Sequence, residues 1–273
     1  MTLTDSTAPV LDLTTTSVGR HLLRTCYESF FSNLQFSGRF RVIVTIDPTY
    51  GVDEDEIADT IKYLEGLPET EPKVAEVIIE RLPENIGLQR SLMILFSHCQ
   101  SRFGVHLEDD WRFFAPLNLD ALLADLTDQC ATMIAFNSTH VSRGGTFERS
   151  GESVGIDGSR VPLQRLVHPS WASDYLPLCP HLHDAERWIP TYTRALMLDD
   201  DPNRCPDERV KDYVRANRLS DQYIVLWTQD VVVEDIGRTW AAERGEAKNI
   251  GATPHCNITD LADGRPLALE RSF

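Results

Sequence analysis

From Val10 to Leu107 the chain alternates short apolar runs with amphipathic stretches, and that alternation constrains its fold more than any other feature. Val10 to Thr16 is apolar and β-branched and predicts a first strand. Ser17 then caps a helix to about Leu34, with Leu22, Leu23, Cys26, Phe30 and Phe31 on its inner face. Arg41 to Ile46 is a continuous strand of the buried type that stops at Asp47-Pro48. Asp53 to Glu56 opens a second helix, where acids suit the positive end of the helix dipole. Lys73 to Ile79 alternates toward a third strand, Gly87 to about Arg102 gives a third helix, and a fourth strand begins at Val105. Such alternation predicts an α/β fold: an open mixed sheet, mainly parallel, with helices on both faces. In sheets of this kind ligands bind outside the carboxyl ends of the strands.

The second half is less regular. A helix from Pro116 to about Leu126, a strand from Thr132 to Phe136 and a strand from Val161 to Val167 are expected. The Gly-rich stretch Ser142 to Gly158 reads as a loop or irregular hairpin, long enough to be functional. A helix over Pro206 to Ala216, a strand pair across Tyr223 to Val233 and a short helix from Ile236 to Arg244 precede a tail rich in Gly, Pro, Asn and Asp. No repeat, low-complexity segment or linker interrupts residues 1–273, so a single domain is expected.

At 42% hydrophobic and 25% charged residues the composition is that of a globular chain, and runs such as Met93 to Phe96 are far too short to span a bilayer. The first residues lack the basic and apolar regions of a signal peptide. The six cysteines form no C-x-x-C pair, so a cytoplasmic location with reduced thiols is expected. A net charge of −16 argues against nucleic acid or anionic lipid as partners, since both rely on clustered Lys and Arg.

The chemistry concentrates where the Val105 strand ends, at Glu108-Asp109-Asp110 followed by Trp111. Carboxylates at the end of a buried strand cost free energy unless a cation or hydrogen-bond donors meet them. Mg²⁺ and Mn²⁺ accept one or two such groups and leave positions for water and substrate phosphates. The alternative is a solvated turn whose acids cap the next helix. Cys179, His181 and His183 invite a zinc reading, but Pro180 interrupts the run and no second ligand pair has zinc-like spacing. G-x-S-x-G, Walker and H-E-x-x-H motifs are absent.

In order along the chain, these residues resemble the nucleotide-sugar-dependent glycosyltransferases of the GT-A fold, nearest to the family 2 type. Thr14-Thr15-Thr16-Ser17 with Arg20 matches the first strand and helix, and Asp47 the acid near the nucleotide base. Asn85-Ile86-Gly87-Leu88-Gln89-Arg90 is similar to the family's Asn-x-Gly segment, and Glu108-Asp109-Asp110 to its D-x-D or x-D-D motif. Asp207-Glu208 resembles the segment that supplies the catalytic base. Val231 to Arg238 resembles the terminal strand, with Asp235 (or Glu234) where many members carry a metal-binding histidine.

The resemblance implies a metal-dependent, inverting transfer of a sugar from a nucleoside-diphosphate sugar to a hydroxyl of a glycan, lipid-linked or small-molecule acceptor. It implies Mn²⁺ or Mg²⁺ on Asp110 and Asp235, and Thr15, Arg20, Asp47, Asn85, Gly87, Arg90, Glu108 and Asp109 around the donor. Asp207 or Glu208 would be the base; helix register does not choose between them. The donor half would be residues 9–115, the acceptor half 116–245 and the tail 246–273. Read without the resemblance, Gly87 is a turn glycine, Arg90 a surface residue, Asp47 the start of a turn, and Asp207 and Glu208 an acidic helix start after Pro206. Two other functions fit the same architecture: a catalytically inactive GT-A-like binding or scaffold domain, and a sugar-nucleotide pyrophosphorylase-like nucleotidyltransferase. Against the latter, the turn after the first strand carries one glycine only, Gly19.

Overall fold

The apolar runs of the first half become the parallel part of one sheet in a computed structural model, which describes residues 8–48, 52–138, 153–166, 177–198, 204, 206–237 and 239–240. β1 (Val10–Ser17) lies between β3 (Arg39–Ile46) and β5 (Phe103–Glu108), and β4 (Val74–Arg81) pairs outside β3, all in parallel. The returns run through α1 (Leu22–Asn33), α2 (Glu54–Glu65) with the one-turn α3 (Leu67–Thr70), and α4 (Leu88–Ser97). Asp53 caps α2 as its spacing suggests, its carboxylate accepting from Glu56 N–H at 2.7 Å.

The second half completes a nine-stranded sheet in the order β4-β3-β1-β5-β11-β8-β12-β10-β9. Its strands are β8 (Met133–Ala135), β9 (Ser153–Gly155), β10 (Leu163–Leu166), β11 (His181–Asp184) and β12 (Val225–Thr228). α5 (Leu119–Asp128), α6 (Ala185–Leu198) and α7 (Pro206–Ala216) pack on it. Two small ribbons lie beside it: β2 (Leu34–Gln35) with β7 (Leu117–Asn118), and β6 (Trp111–Phe113) with β13 (Val233–Asp235). β11 runs antiparallel to both its neighbours, β5 and β8. Its entrance, Leu178–Cys179, therefore lies at the edge where β1, β3 and β5 end.

Side chains alternate between two cores, one on each sheet face. Leu13, Val42, Val44 and Val105 pack with α1, α2 and α5, whereas Ile43, Met133, Ala135 and Trp227 pack with α4, α6 and α7. Phe30 of α1, fully buried and edge-on to Phe31, Phe40 and Phe113, anchors the first core. Such a ring contributes about 2–3 kcal/mol on burial.

Several sequence expectations need correction. Ser17 does not cap α1, which starts only at Leu22: Gly19, at φ 90°, turns the chain first, and the Ser17 hydroxyl donates elsewhere. α4 stops at Ser97, short of Arg102. The buried Asp12 accepts the N–H groups of Gln100 and Ser101 at 2.7 and 2.8 Å, and its partner Arg41 donates to the His98 carbonyl at 2.9 Å. These bonds outcompete another helical turn. The strands expected as a pair across Tyr223 to Val233 do not pair with each other; β12 joins the main sheet and β13 joins β6. Of the Gly-rich stretch, read as a loop or irregular hairpin, residues 142–152 lie outside the described residues, while Ser153–Gly155 is the edge strand β9, paired antiparallel with β10. The Ile236 to Arg244 helix is seen at Gly237, Thr239 and Trp240, with 238 and 241–244 outside the described residues.

Candidate functional site

Three parallel strands end side by side and release their acids at one edge. β3 stops before Asp47, β1 ends at Ser17, and β5 ends at Glu108, with Asp109 and Asp110 forming the turn into β6. β13 then pairs Asp235 with Trp111, and Ile236 N–H donates to the Asp110 carbonyl at 2.8 Å. Residues more than a hundred positions apart in sequence thus meet around one short turn.

Arg20 is the counter-ion of that turn. Its guanidinium is ion-paired with Asp109 through Nη2, reaches a second Asp109 oxygen through Nε at 3.4 Å, and lies 3.3 Å from Asp110. Asp109 also accepts from the Ser17 hydroxyl at 2.7 Å and from Val18 N–H at 3.2 Å. Burial pushes the Arg20 guanidinium down, but Asp109 and Asp110 outweigh it and hold the group above its ordinary value. The Trp240 ring covers Arg20, with 4.9 Å from the guanidinium carbon to the ring centroid. Glu108 accepts from the Trp111 indole at 3.0 Å, so Trp111 is a packing and orienting aromatic.

Gly237 backs onto Asp110: a Cβ there would collide with its carboxylate. Gly237→Ala is therefore expected to cost about 1–3 kcal/mol by forcing Asp110 aside. Urea melts of the two proteins check this, and equal midpoints would mean that the carboxylate moves at no cost.

Asp47 ties the second acid position to the Asn85 segment. Its carboxylate accepts from Ile86 N–H at 2.8 Å and from Gly87 N–H. Burial pushes its pKa up to about 6, and those two N–H groups partly offset the effect. Gly87, at φ 86°, supplies the turn into α4 that presents its N–H to Asp47. The side-chain oxygen of Asn85 is buried with no hydrogen-bond partner among the described residues. Arg90 is exposed on α4. Thr15 is not at the edge at all: it is fully buried, and its hydroxyl accepts from Tyr27 at 2.8 Å. The strand's alternation turns Thr15 into the α1 core, which removes it from the donor side.

Asp207 and Glu208 separate cleanly. Asp207 is half-buried and accepts from Leu178 N–H at 3.1 Å and from the Tyr192 hydroxyl at 2.9 Å. Leu178 leads into β11, so these bonds bring the start of α7 to the edge where the acids lie. The Cys179 thiol is pushed up by burial and then by Asp207 and Glu108, which both lie near it. Glu208 is exposed. Sequence reading missed Tyr192, Trp240 and the Ser17 bond. No local pattern marks them, because each acts on a partner brought by the fold.

Among the described residues no three His, Cys, Asp or Glu side chains are grouped to cage an ion. The donor chemistry suits a hard divalent cation held by one or two carboxylates and completed by substrate phosphates and water. Asp109 is engaged by Ser17, Val18 and Arg20, and Arg20 Nη2 also lies 3.3 Å from Asp110. Asp235 accepts from Gly237 N–H at 3.0 Å and stands beside the turn.

No protein family model and no curated protein matches the chain. Solved structures do. S. aureus TarS 1-349 is 12% identical at a TM-score of 0.51, covering 84% of this chain and 60% of that one. The same fragment in complex with UDP gives 12% and 0.51, covering 83% and 60%. The mannosyltransferase PcManGT from Pyrobaculum calidifontis, in complex with GDP-Man and Mn²⁺, is 14% identical at 0.51, covering 88% and 61%. The chain thus spans about 60% of the length of these proteins. At such identities the likeness is one of fold.

Proposed function

We propose that this chain, which has the GT-A fold, transfers a sugar from a nucleoside-diphosphate sugar to an acceptor hydroxyl with inversion, using a divalent cation, Mn²⁺ or Mg²⁺. The observation that carries the reading is the convergence of Asp47, Arg20, Glu108-Asp109-Asp110 and Asp235 at one carboxyl edge, with Asp207 facing it from α7. On the relatives' side, TarS was solved with UDP and the mannosyltransferase with GDP-Man and Mn²⁺.

Charge supports the cation. Among the described residues five carboxylates at the edge, Asp47, Glu108, Asp109, Asp110 and Asp235, stand against the Arg20 guanidinium, a formal excess of four negative charges, which would repel a diphosphate. A divalent ion on Asp110, supported by Asp235, would neutralise the diphosphate and act as a Lewis acid toward the leaving group. The protein's own residues do the rest. Asp47 and the neighbouring Asn85 oxygen present acceptors for N–H groups of a base, and the Gly87 turn fixes that pair. Glu108, oriented by Trp111, faces the donor between metal and base. Asp207, steadied by Tyr192 and Leu178 N–H, takes the proton of the attacking hydroxyl. A single base acting opposite the leaving group suits one displacement and hence inversion.

The test is a thermal-shift screen of UDP, GDP, TDP and CMP sugars, each with and without Mn²⁺. Binding raises apparent stability by mass action, by about 2.7 kcal/mol at a hundredfold excess over Kd. A metal-dependent shift with at least one nucleotide sugar is expected, and Asp110→Ala should lose both that shift and turnover. No shift with any nucleotide, or full activity of Asp110→Ala in chelator, would overturn the reading. A binding domain without activity would give the shift but no donor hydrolysis in the absence of acceptor.

A further inference from the structure

Asp109 and Asp110 are adjacent carboxylates, 3% and 8% exposed, so each raises the cost of the other's charge. Arg20 answers both, but unequally. It is bonded to Asp109 by two guanidinium nitrogens and covered by Trp240, and its Nη2 also reaches Asp110 at the longer distance of 3.3 Å. Its Nη1 makes no hydrogen bond to any described residue. The geometry therefore makes Arg20 a fixed cation beside Asp110 and not a side chain free to swing out.

We propose that Arg20 competes with the divalent ion for this pair of acids, so that the protein takes up metal only together with the donor's diphosphate. The inference rests on the reading of the edge as a metal–diphosphate site. A divalent ion arriving alone meets Asp110, which already faces a guanidinium, and Asp235 beside it, with Asp109 engaged by Ser17, Val18 and Arg20, and gains too little to shed its water. Diphosphate oxygens change the balance twice. They add hard ligands for the ion, and their charge offsets the repulsion between the ion and Arg20, with Nη1 as a donor toward them. Coupling of this kind is reciprocal: the factor by which nucleotide tightens metal equals the factor by which metal tightens nucleotide. Arg20 is thus a positioning residue that sets the order of assembly.

Calorimetric titration of Mn²⁺ into the full chain tests this, with and without saturating UDP or GDP, for the parent protein, Arg20→Gln and Arg20→Lys. Without nucleotide the parent should bind Mn²⁺ only at millimolar concentration, and nucleotide should tighten this at least tenfold. Arg20→Gln should bind Mn²⁺ at least tenfold more tightly than the parent without nucleotide, and its melting temperature should rise on adding Mn²⁺ where the parent's does not. Arg20→Lys, which keeps the charge, should bind as weakly as the parent. Micromolar Mn²⁺ binding by the parent without nucleotide would overturn the proposal and needs no variant to fold. So would a lysine variant that binds like the glutamine one. If neither UDP nor GDP binds at any metal concentration, the glycosyl-transfer reading is what fails, and the nucleotide-free comparison still decides the competition.

Discussion

Asp207→Asn should lower kcat roughly 100- to 10,000-fold, the range that a positioned general base contributes, while leaving nucleotide affinity within about twofold. The amide keeps the shape of the carboxylate and can still accept from Leu178 N–H and the Tyr192 hydroxyl, so the start of α7 should stay in place. What is lost is a group able to hold the acceptor's proton. Glu208→Gln, one residue on but exposed, should retain near-parental kcat. Steady-state kinetics with the screened donor, alongside nucleotide titrations, separates the two roles. Equal losses in both variants, or a normal rate in Asp207→Asn, would remove Asp207 as the base. Tyr192→Phe offers a graded control, since it deletes one of the two bonds that orient the carboxylate.

Acid should unfold this protein unusually steeply. His106, His181 and His183 are buried in contact with one another and with Trp188, at ring-centroid separations of 4.3 to 5.7 Å. The His181 Nδ1–H donates to the Cys179 carbonyl at 2.6 Å, leaving a buried Nε2 without a partner. Thr14 donates to the Val105 carbonyl and so accepts from His106 Nδ1, whose Nε2 is likewise buried and unpartnered. Burial lowers all three: His181 to about 3, and the other two well below their ordinary range with the neighbouring rings adding to the effect.

The sign follows from linkage. The unfolded chain takes up three protons as pH falls through 6.5, and the folded chain refuses them, so stability is fully present above 6.5 and is lost below it. Asp47 works in the opposite direction: held up at about 6, it binds a proton in the folded state over the same window. The net of about two protons gives a slope of about 3 kcal/mol per pH unit, against a total stability of about 5–15 kcal/mol. Roughly 5 kcal/mol, a third or more of that stability, should be gone by about pH 4.5. Urea melts between pH 7.5 and 4.5 measure the slope, and His181→Phe should flatten it by about 1 kcal/mol per unit. A level profile would mean that the folded protein accommodates these protons.

Two of these histidines, His181 and His183, mark where sequence reading lost the fold. His181-Leu182-His183-Asp184, preceded by Pro180, carries no strand signal, yet it is a buried central strand, because Trp188 of the following helix stacks on the imidazoles and Leu182 faces the other core. Gly104 on β5 makes this possible: a Cβ there would lie 2.7 Å from His183 Nε2. α6 was hidden for a related reason. Pro190 lies inside it, at its sixth residue, where it removes one i to i−4 hydrogen bond and looks like a breaker. A neutral, ring-stacked histidine is an apolar residue in effect, and only the neighbours reveal that it is one.

The parallel half of the sheet, α2 with its Asp53 cap, α7, and the acids at the end of β5 were all determined by local pattern. Periodicity, β-branching and capping act within a dozen residues and do not wait for a partner. What surrounds each acid was decided only by tertiary structure. Asp109 and Asp110 are neighbours of one type in sequence, and Asp207 and Glu208 differ by one methylene. Ser17, Arg20 and Val18 engage Asp109, Gly237 and Arg20 frame Asp110, and Leu178 and Tyr192 hold Asp207 while Glu208 faces water. A carboxylate's role is set by the donors and cations within a few ångströms, and here the chain brings them from far along its length.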